Sequence, residues 1–223
     1  MPQIFQRGAN KLPALSLVGL LFGAVFVIGA VWYYFSPEFY EVGYMPDQPV
    51  PYSHRLHAGE FGMDCTYCHN HVMASEHSNV PPTQTCMNCH TLIKAQSLEL
   101  LPVRESWATG EPVEWVRVHH LADYAHFSHA VHTNVGVGCE TCHGRVDQME
   151  VVYQVEPLSM GWCLECHRAP EQYLRPVDQV TTMGYNEMVR ADEESYQAYI
   201  AANLARIELE GIKPPQNCSA CHY

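Results

Sequence analysis

From Leu12 to Phe35 the chain runs through 24 largely apolar residues without a charge. About 20 apolar residues in an α-helix cross the hydrocarbon core of a bilayer, so this run predicts one transmembrane helix, with Pro13 tolerated in its first turn. Arg7 and Lys11 precede the run, and Glu38, Glu41 and Asp47 follow it. The positive-inside rule then puts the N-terminus in the cytoplasm and all that follows residue 36 on the periplasmic side, with Trp32, Tyr33, Tyr34 and Phe35 as an interfacial belt. A cleaved signal peptide competes with this reading, and Ile28-Gly29-Ala30 offers small residues for cleavage. The run is longer than the roughly 7–15 residues of a signal core, so the expectation is an uncleaved anchor over 1–36 in the cytoplasmic (inner) membrane.

Beyond the anchor, Pro37, Pro46, Pro49 and Pro51 mark 37–52 as an extended tether. Helical or strand periodicity is scarce from there on. The exception is about 187–210, where Met188, Val189, Tyr196, Ile200, Leu204 and Ile207 form a helical stripe that Gly211 ends, before Pro214-Pro215. The rest reads as short helices in much irregular loop, with Trp107, Trp115 and Trp162 expected in the core.

What replaces periodicity is a repeat. Tyr52-Ser53-His54-Arg55-Leu56-His57 leads into Cys65-x-x-Cys68-His69, and Phe127-Ser128-His129-Ala130-Val131-His132 leads into Cys139-x-x-Cys142-His143. Each is followed by another Cys-x-x-Cys-His, at Cys86/Cys89/His90 and at Cys163/Cys166/His167, and Cys218/Cys221/His222 closes the chain. All ten cysteines fall in these five pairs, each with a histidine directly after it. Two thiols at that spacing form thioethers to the vinyl groups of one haem, and the histidine that follows becomes the proximal iron ligand. A zinc ribbon or a redox dithiol needs paired cysteines but not the five histidines. The expectation is five haem c groups in a domain over 53–223, built as two-haem modules at about 53–100 and 119–175 with a fifth site at 216–223. The fold class is therefore mainly α with much irregular loop, one N-terminal transmembrane helix plus a haem-packed multihaem cytochrome c domain.

Nine histidines remain as candidate distal ligands: His54, His57, His71, His77, His119, His120, His126, His129 and His132. A second strong ligand makes a haem closed and suited to electron transfer. His54 and His129 stand 11 and 10 residues before their cysteine pairs, close enough to fold back over the same haem. His57 and His132 follow three residues later, so each pair shares one helical turn and joins two neighbouring haems. The aromatic-x-His-x-x-His lead-in resembles the small multihaem cytochromes of the c3/c7 kind, which implies that the first histidine caps the local haem and the second reaches another. For the fifth distal position His119 is preferred; His77, His120 and His126 stay open, as do Met160 and Met183. His71 is read as a surface residue. No site reads Cys-x-x-Cys-Lys, so the lysine-ligated open haem of the pentahaem nitrite reductases is missing, and no independent catalytic site is expected.

Charge narrows the partners. The formal net charge is −12, and haem propionates would add to it. Such a surface excludes nucleic acid and favours basic redox proteins.

The stretches YSHRLHAGEFGMDCTYCHN, NVPPTQTCMNCH, Trp115 to His132, GVGCETCHGRVDQM and LSMGWCLECHR resemble, in this order, the pentahaem cytochrome subunit of alternative complex III, a quinol-oxidising respiratory assembly. The likeness covers roughly 52–180. It implies an iron–sulfur subunit related to molybdopterin enzymes, polytopic quinol-binding subunits, and a monohaem cytochrome c or oxidase as acceptor. Electrons would pass from quinol through iron–sulfur clusters to the five haems. The competing function is a stand-alone anchored multihaem quinol dehydrogenase feeding a periplasmic reductase. The thirty or so residues between Phe35 and Cys65 favour a chain that takes electrons from a neighbour.

Overall fold

The computed structural model describes residues 5–36, 39 and 41–223. Pro37 and Glu38, named above in the tether and the acidic flank, lie outside them. The chain divides into two compact units between Glu41 and Val42.

In the first unit a 3-10 turn, Arg7–Lys11, leads into helix α1, Leu12–Tyr34, with Pro13 in its opening turn. Within Gly8–Tyr34 the mean hydropathy reaches 2.5, and none of the residues of α1 is buried. At 1.5 Å per residue, 23 residues make a rod of about 35 Å, enough to cross a bilayer core. Apolar side chains point outward all round, from Phe22 to Phe26 to Trp32. In water such a helix would be costly, which is the property of a lipid-facing segment. At its end Tyr33 and Tyr34 pack edge-on at 5.4 Å, with Phe39 against Tyr34 at 4.8 Å.

The second unit is mainly helical, and no strand occurs among the described residues; one isolated bridge joins Val137 and Leu174. Its helices are α2 (Cys65–Cys68), α3 (Thr83–His90), α4 (Leu101–Thr109), α5 (His129–Asn134), α6 (Cys139–His143), α7 (Met160–Arg168), α8 (Tyr185–Val189) and α9 (Glu193–Glu210). The stripe expected at 187–210 is thus two helices rather than one. Asp192 causes the break: its extended backbone lets the carboxylate accept from the Ser195 N–H at 2.8 Å and start α9 afresh. Met188 is left 61% exposed. The inner face of α9 is more polar than expected, because Asn203 is buried and donates to the Glu171 and Leu174 carbonyls, both at 2.8 Å. Gly211 ends the helix at φ 65° as foreseen.

From Gly43 onward the proline-rich stretch does not hang free. The Gly43 N–H donates to the Gln154 carbonyl at 2.7 Å, Gln154 answers to Tyr44 at 3.0 Å, and the Gln48 amide clamps both backbone groups of Val116. Val50 is 3% exposed and forms a small core with Met87 and Val103, against which Cys86, Leu100, Val113 and Trp115 pack. Trp107 stays outside it, 51% exposed. Elsewhere the buried apolar side chains are scattered: Val72, Val137, Met149, Leu174 and Val180. This is a thin core for a unit that spans 42–223.

Candidate haem-binding sites

Each Cys-x-x-Cys-His is a single helical turn. Asp64 starts α2 by accepting from the Thr66 N–H at 2.8 Å, and Ser159 starts α7 by accepting from Trp162 at 3.3 Å. The last pair opens a 3-10 turn, Cys218–Ala220. Residues three apart on a helical turn share a face, so both thiols of a pair stand side by side. The histidine then closes the turn: His69 N–H donates to the Cys65 carbonyl and His222 N–H to that of Cys218, both at 2.9 Å. No disulfide joins any of the ten cysteines. Burial pushes the Cys142 thiol up to about 12 and Cys166 to about 11.

The imidazoles share a hydrogen-bonding rule. His69 Nδ1 lies 2.8 Å from the Asn79 carbonyl, His90 2.9 Å from Ile93, His167 2.6 Å from Pro215 and His222 2.8 Å from Tyr124. Among the lead-in histidines, His57 Nδ1 meets Ser53, His129 meets Glu76 and His132 meets Ser128, each at 2.8 Å. A carbonyl can only accept, so in all seven rings Nδ1 carries the proton and Nε2 presents its lone pair outward. That is the tautomer of an imidazole ligand oriented by its second nitrogen.

The lead-in aromatics hold the distal candidates in place. Tyr52 stacks on His57 at 4.5 Å and meets His54 edge-on at 4.7 Å. Phe127 does the same with His132 at 4.4 Å and His129 at 4.9 Å. Both copies of the repeat therefore use the aromatic as a wedge between two imidazoles. The ring centres of His57 and His90 are 6.2 Å apart, those of His132 and His167 6.1 Å, and those of His129 and His143 6.4 Å with nearly parallel planes. Two imidazoles bound on opposite sides of one iron, at about 2 Å each, have ring centres about 6 Å apart.

His119 and His54 lie close enough to His143 to act on its charge. Burial, reinforced by neighbouring imidazoles, lowers His54 and His119 to about 4 and His143 to about 3. His54 Nδ1 and His119 Nε2 are buried and make no hydrogen bond. His119 packs edge-on against His143 at 4.4 Å, too near for those two to face each other across an iron. Of the alternatives, His71, His77 and His120 are exposed, and Met160 points into solvent. His126 stacks on Tyr223 at 4.1 Å, and its Nε2 is engaged by the Tyr223 carbonyl at 2.8 Å. Met183 is half-buried.

Sequence reasoning missed a buried ion pair built into the third motif. Glu140, between Cys139 and Cys142, accepts from Arg175 Nη2 at 2.9 Å, Asn186 N–H at 2.7 Å and Gly184 N–H at 2.6 Å. Arg175 is fully buried, donates also to the Thr182 carbonyl at 3.0 Å, and lies 4.5 Å over the Tyr185 ring. Its guanidinium occupies the space that a Cβ at Gly138 would need. The only sequence signal was an acidic residue inside a haem motif and an arginine in an apolar context thirty-five residues on.

These residues fit covalent haem. Paired thiols on one face, imidazoles whose Nδ1 is held by a backbone carbonyl, and ring centres at the spacing of one iron are what such attachment requires. Comparison with known proteins points the same way. Residues 125–223 match the family described as cytochrome c7 and related cytochrome c. The chain is 31% identical over 127 residues to the menaquinone reductase multihaem cytochrome c subunit of Nitratidesulfovibrio vulgaris, an overlap covering 56% of each chain. The chain thus spans little more than half the length of that relative. The chain carries a multihaem cytochrome c domain, and its residues 125–223 are similar to the c7-related cytochromes.

Proposed function

We propose that this chain is a membrane-anchored electron-transfer subunit carrying five haem c groups. Thioethers form at Cys65/Cys68, Cys86/Cys89, Cys139/Cys142, Cys163/Cys166 and Cys218/Cys221, with His69, His90, His143, His167 and His222 as proximal ligands. His57 with His90 and His132 with His167 would each hold one iron, and His54, His119 and His129 would supply distal nitrogens to the other three. Bound haem c would supply one-electron redox chemistry. The chain's residues keep the buried imidazoles of His54, His119 and His143 neutral, fix other tautomers through backbone carbonyls, and hold the lead-in rings with aromatic wedges. The observation that carries this reading is the 6.1–6.2 Å spacing of the ring centres of His57 and His90 and of His132 and His167.

In this reading α1 anchors the chain in the cytoplasmic membrane with the cytochrome domain on the periplasmic side. Quinol is oxidised in polytopic partner subunits, an iron–sulfur subunit related to molybdopterin enzymes relays the electrons, and a monohaem cytochrome c or oxidase receives them. The name of the Nitratidesulfovibrio relative, a menaquinone reductase subunit, favours a second reading with the opposite direction of flow. Purification in mild detergent, followed by identification of co-purifying chains, tests the partners. Iron–sulfur and polytopic subunits support the complex; a chain that arrives alone, yet is reduced by a quinol analogue, is a stand-alone dehydrogenase. Haem absorbance decides direction: reduction on adding quinol supports the first reading, and oxidation of the pre-reduced complex by menaquinone supports the second.

A further inference from the structure

The five motifs are tied to one another by contacts that do not follow their order in the chain. The second motif touches the first: Asn88, inside Cys86–His90, donates to the Tyr67 hydroxyl, inside Cys65–His69, at 3.2 Å. His57, which faces His90, stands on the same turn as His54. The first motif touches the third: Cys65 Sγ lies 4.0 Å from the Thr181 carbonyl, and the Cys139 N–H donates to the adjacent Val180 carbonyl at 2.9 Å. The two thiols lie within reach of each other. Nearby, the turn Arg55–Glu60 packs on Val146–Gln148, just past His143, so closely that a Cβ on Gly59 would strike the Asp147 carbonyl. Helix α5 bridges the third motif to the fourth, with His129 towards His143 and His132 towards His167. The fourth meets the fifth where His167 Nδ1 donates to Pro215 at 2.6 Å and the Gln216 amide donates to the His167 carbonyl at 3.3 Å, two residues before Cys218.

We infer that the five haem sites form one unbranched line in the order Cys86–His90, Cys65–His69, Cys139–His143, Cys163–His167, Cys218–His222, so that the first motif in the sequence is second in space. The inference rests on the five-haem reading. Cys89 and Cys218, the two exposed cysteines of the ten, belong to the two ends of this line. Electrons therefore enter and leave at the second and fifth motifs, and the first motif is internal.

The test uses the full-length holoprotein in detergent and two ligand variants, His57→Met and His132→Met. Methionine ligation raises the potential of the haem it serves. At a suitable poise that haem alone takes one electron from the mediator and becomes diamagnetic, and each ferric neighbour loses its magnetic partner. Relaxation measurements by electron paramagnetic resonance then count neighbours. His57→Met, at an end of the line, should alter one ferric signal, and His132→Met, inside it, should alter two. Two or more altered signals in His57→Met, or one in His132→Met, would overturn the order. If a methionine variant fails to mature, Cys218→Ser with Cys221→Ser removes the last site and should alter one remaining signal; two would overturn the order equally. A wild-type haem count below five would count against the five-haem reading itself, while five haems with the wrong neighbour pattern would count against the order alone.

Discussion

An imidazole can bind iron only while it is neutral, and burial holds His54, His119 and His143 in that form far below the ordinary histidine range of about 6.5. The unfolded chain takes up these protons near the ordinary value, and the folded chain only at about 3 to 4, so the contribution is lost as pH falls through that window. We expect the low-spin haem spectrum to persist from neutral pH to well below 6, because iron ligation adds to burial in opposing protonation of these nitrogens. Loss of the low-spin bands near pH 6.5 would contradict it. The buried pair of Glu140 and Arg175 sets a second expectation. Arg175→Met leaves a buried carboxylate with two backbone donors but no counter-charge, which costs about 3–5 kcal/mol. Arg145 pairs with Asp147 and Glu187 from a site 28% exposed, so Arg145→Ala should cost about 1 kcal/mol. Guanidinium unfolding of the holoprotein, followed by haem absorbance, separates the two; equal losses would show that the buried pair is not special.

Elements in this fold are short, and each is fixed by its ends more than by its interior. Helix α9 begins at the Asp192 cap and stops at Gly211; Asp192→Ala should lower stability by about 1 kcal/mol, read from the thermal midpoint, whereas Asp192→Ser should restore most of it. The same logic explains what the sequence disclosed. The turns at the five Cys-x-x-Cys-His motifs were legible because each is written in five consecutive residues. The doubled lead-in was legible because Tyr52 and Phe127 stand at the same offset from their histidines. The break at Asp192 was hidden by an apolar stripe that continued across it. The acceptors of the seven Nδ1 protons were beyond reach, because a backbone carbonyl carries no sequence signature, and those of Tyr124 and Pro215 come from remote loops. Glu140 and Arg175 were illegible for a related reason: each reads as a surface charge until the chain brings them together.

For the molecule as a whole, the net charge of −12 predicts how it meets soluble partners. Electron exchange with a basic cytochrome should slow about ten-fold or more as ionic strength rises from low to physiological, in stopped-flow traces. A rate that rises with salt would mean that the physiological face is not acidic. The thin apolar core has another consequence. With so few buried aliphatic side chains between residues 42 and 223, the polypeptide by itself cannot offset the entropy of ordering its loops. On the five-haem reading proposed above, the cofactors are the missing interior, and folding has to wait for them. The chain would then remain open until the attachment machinery has reached all ten thiols, and a molecule skipped at even one site is one that proteases will find first.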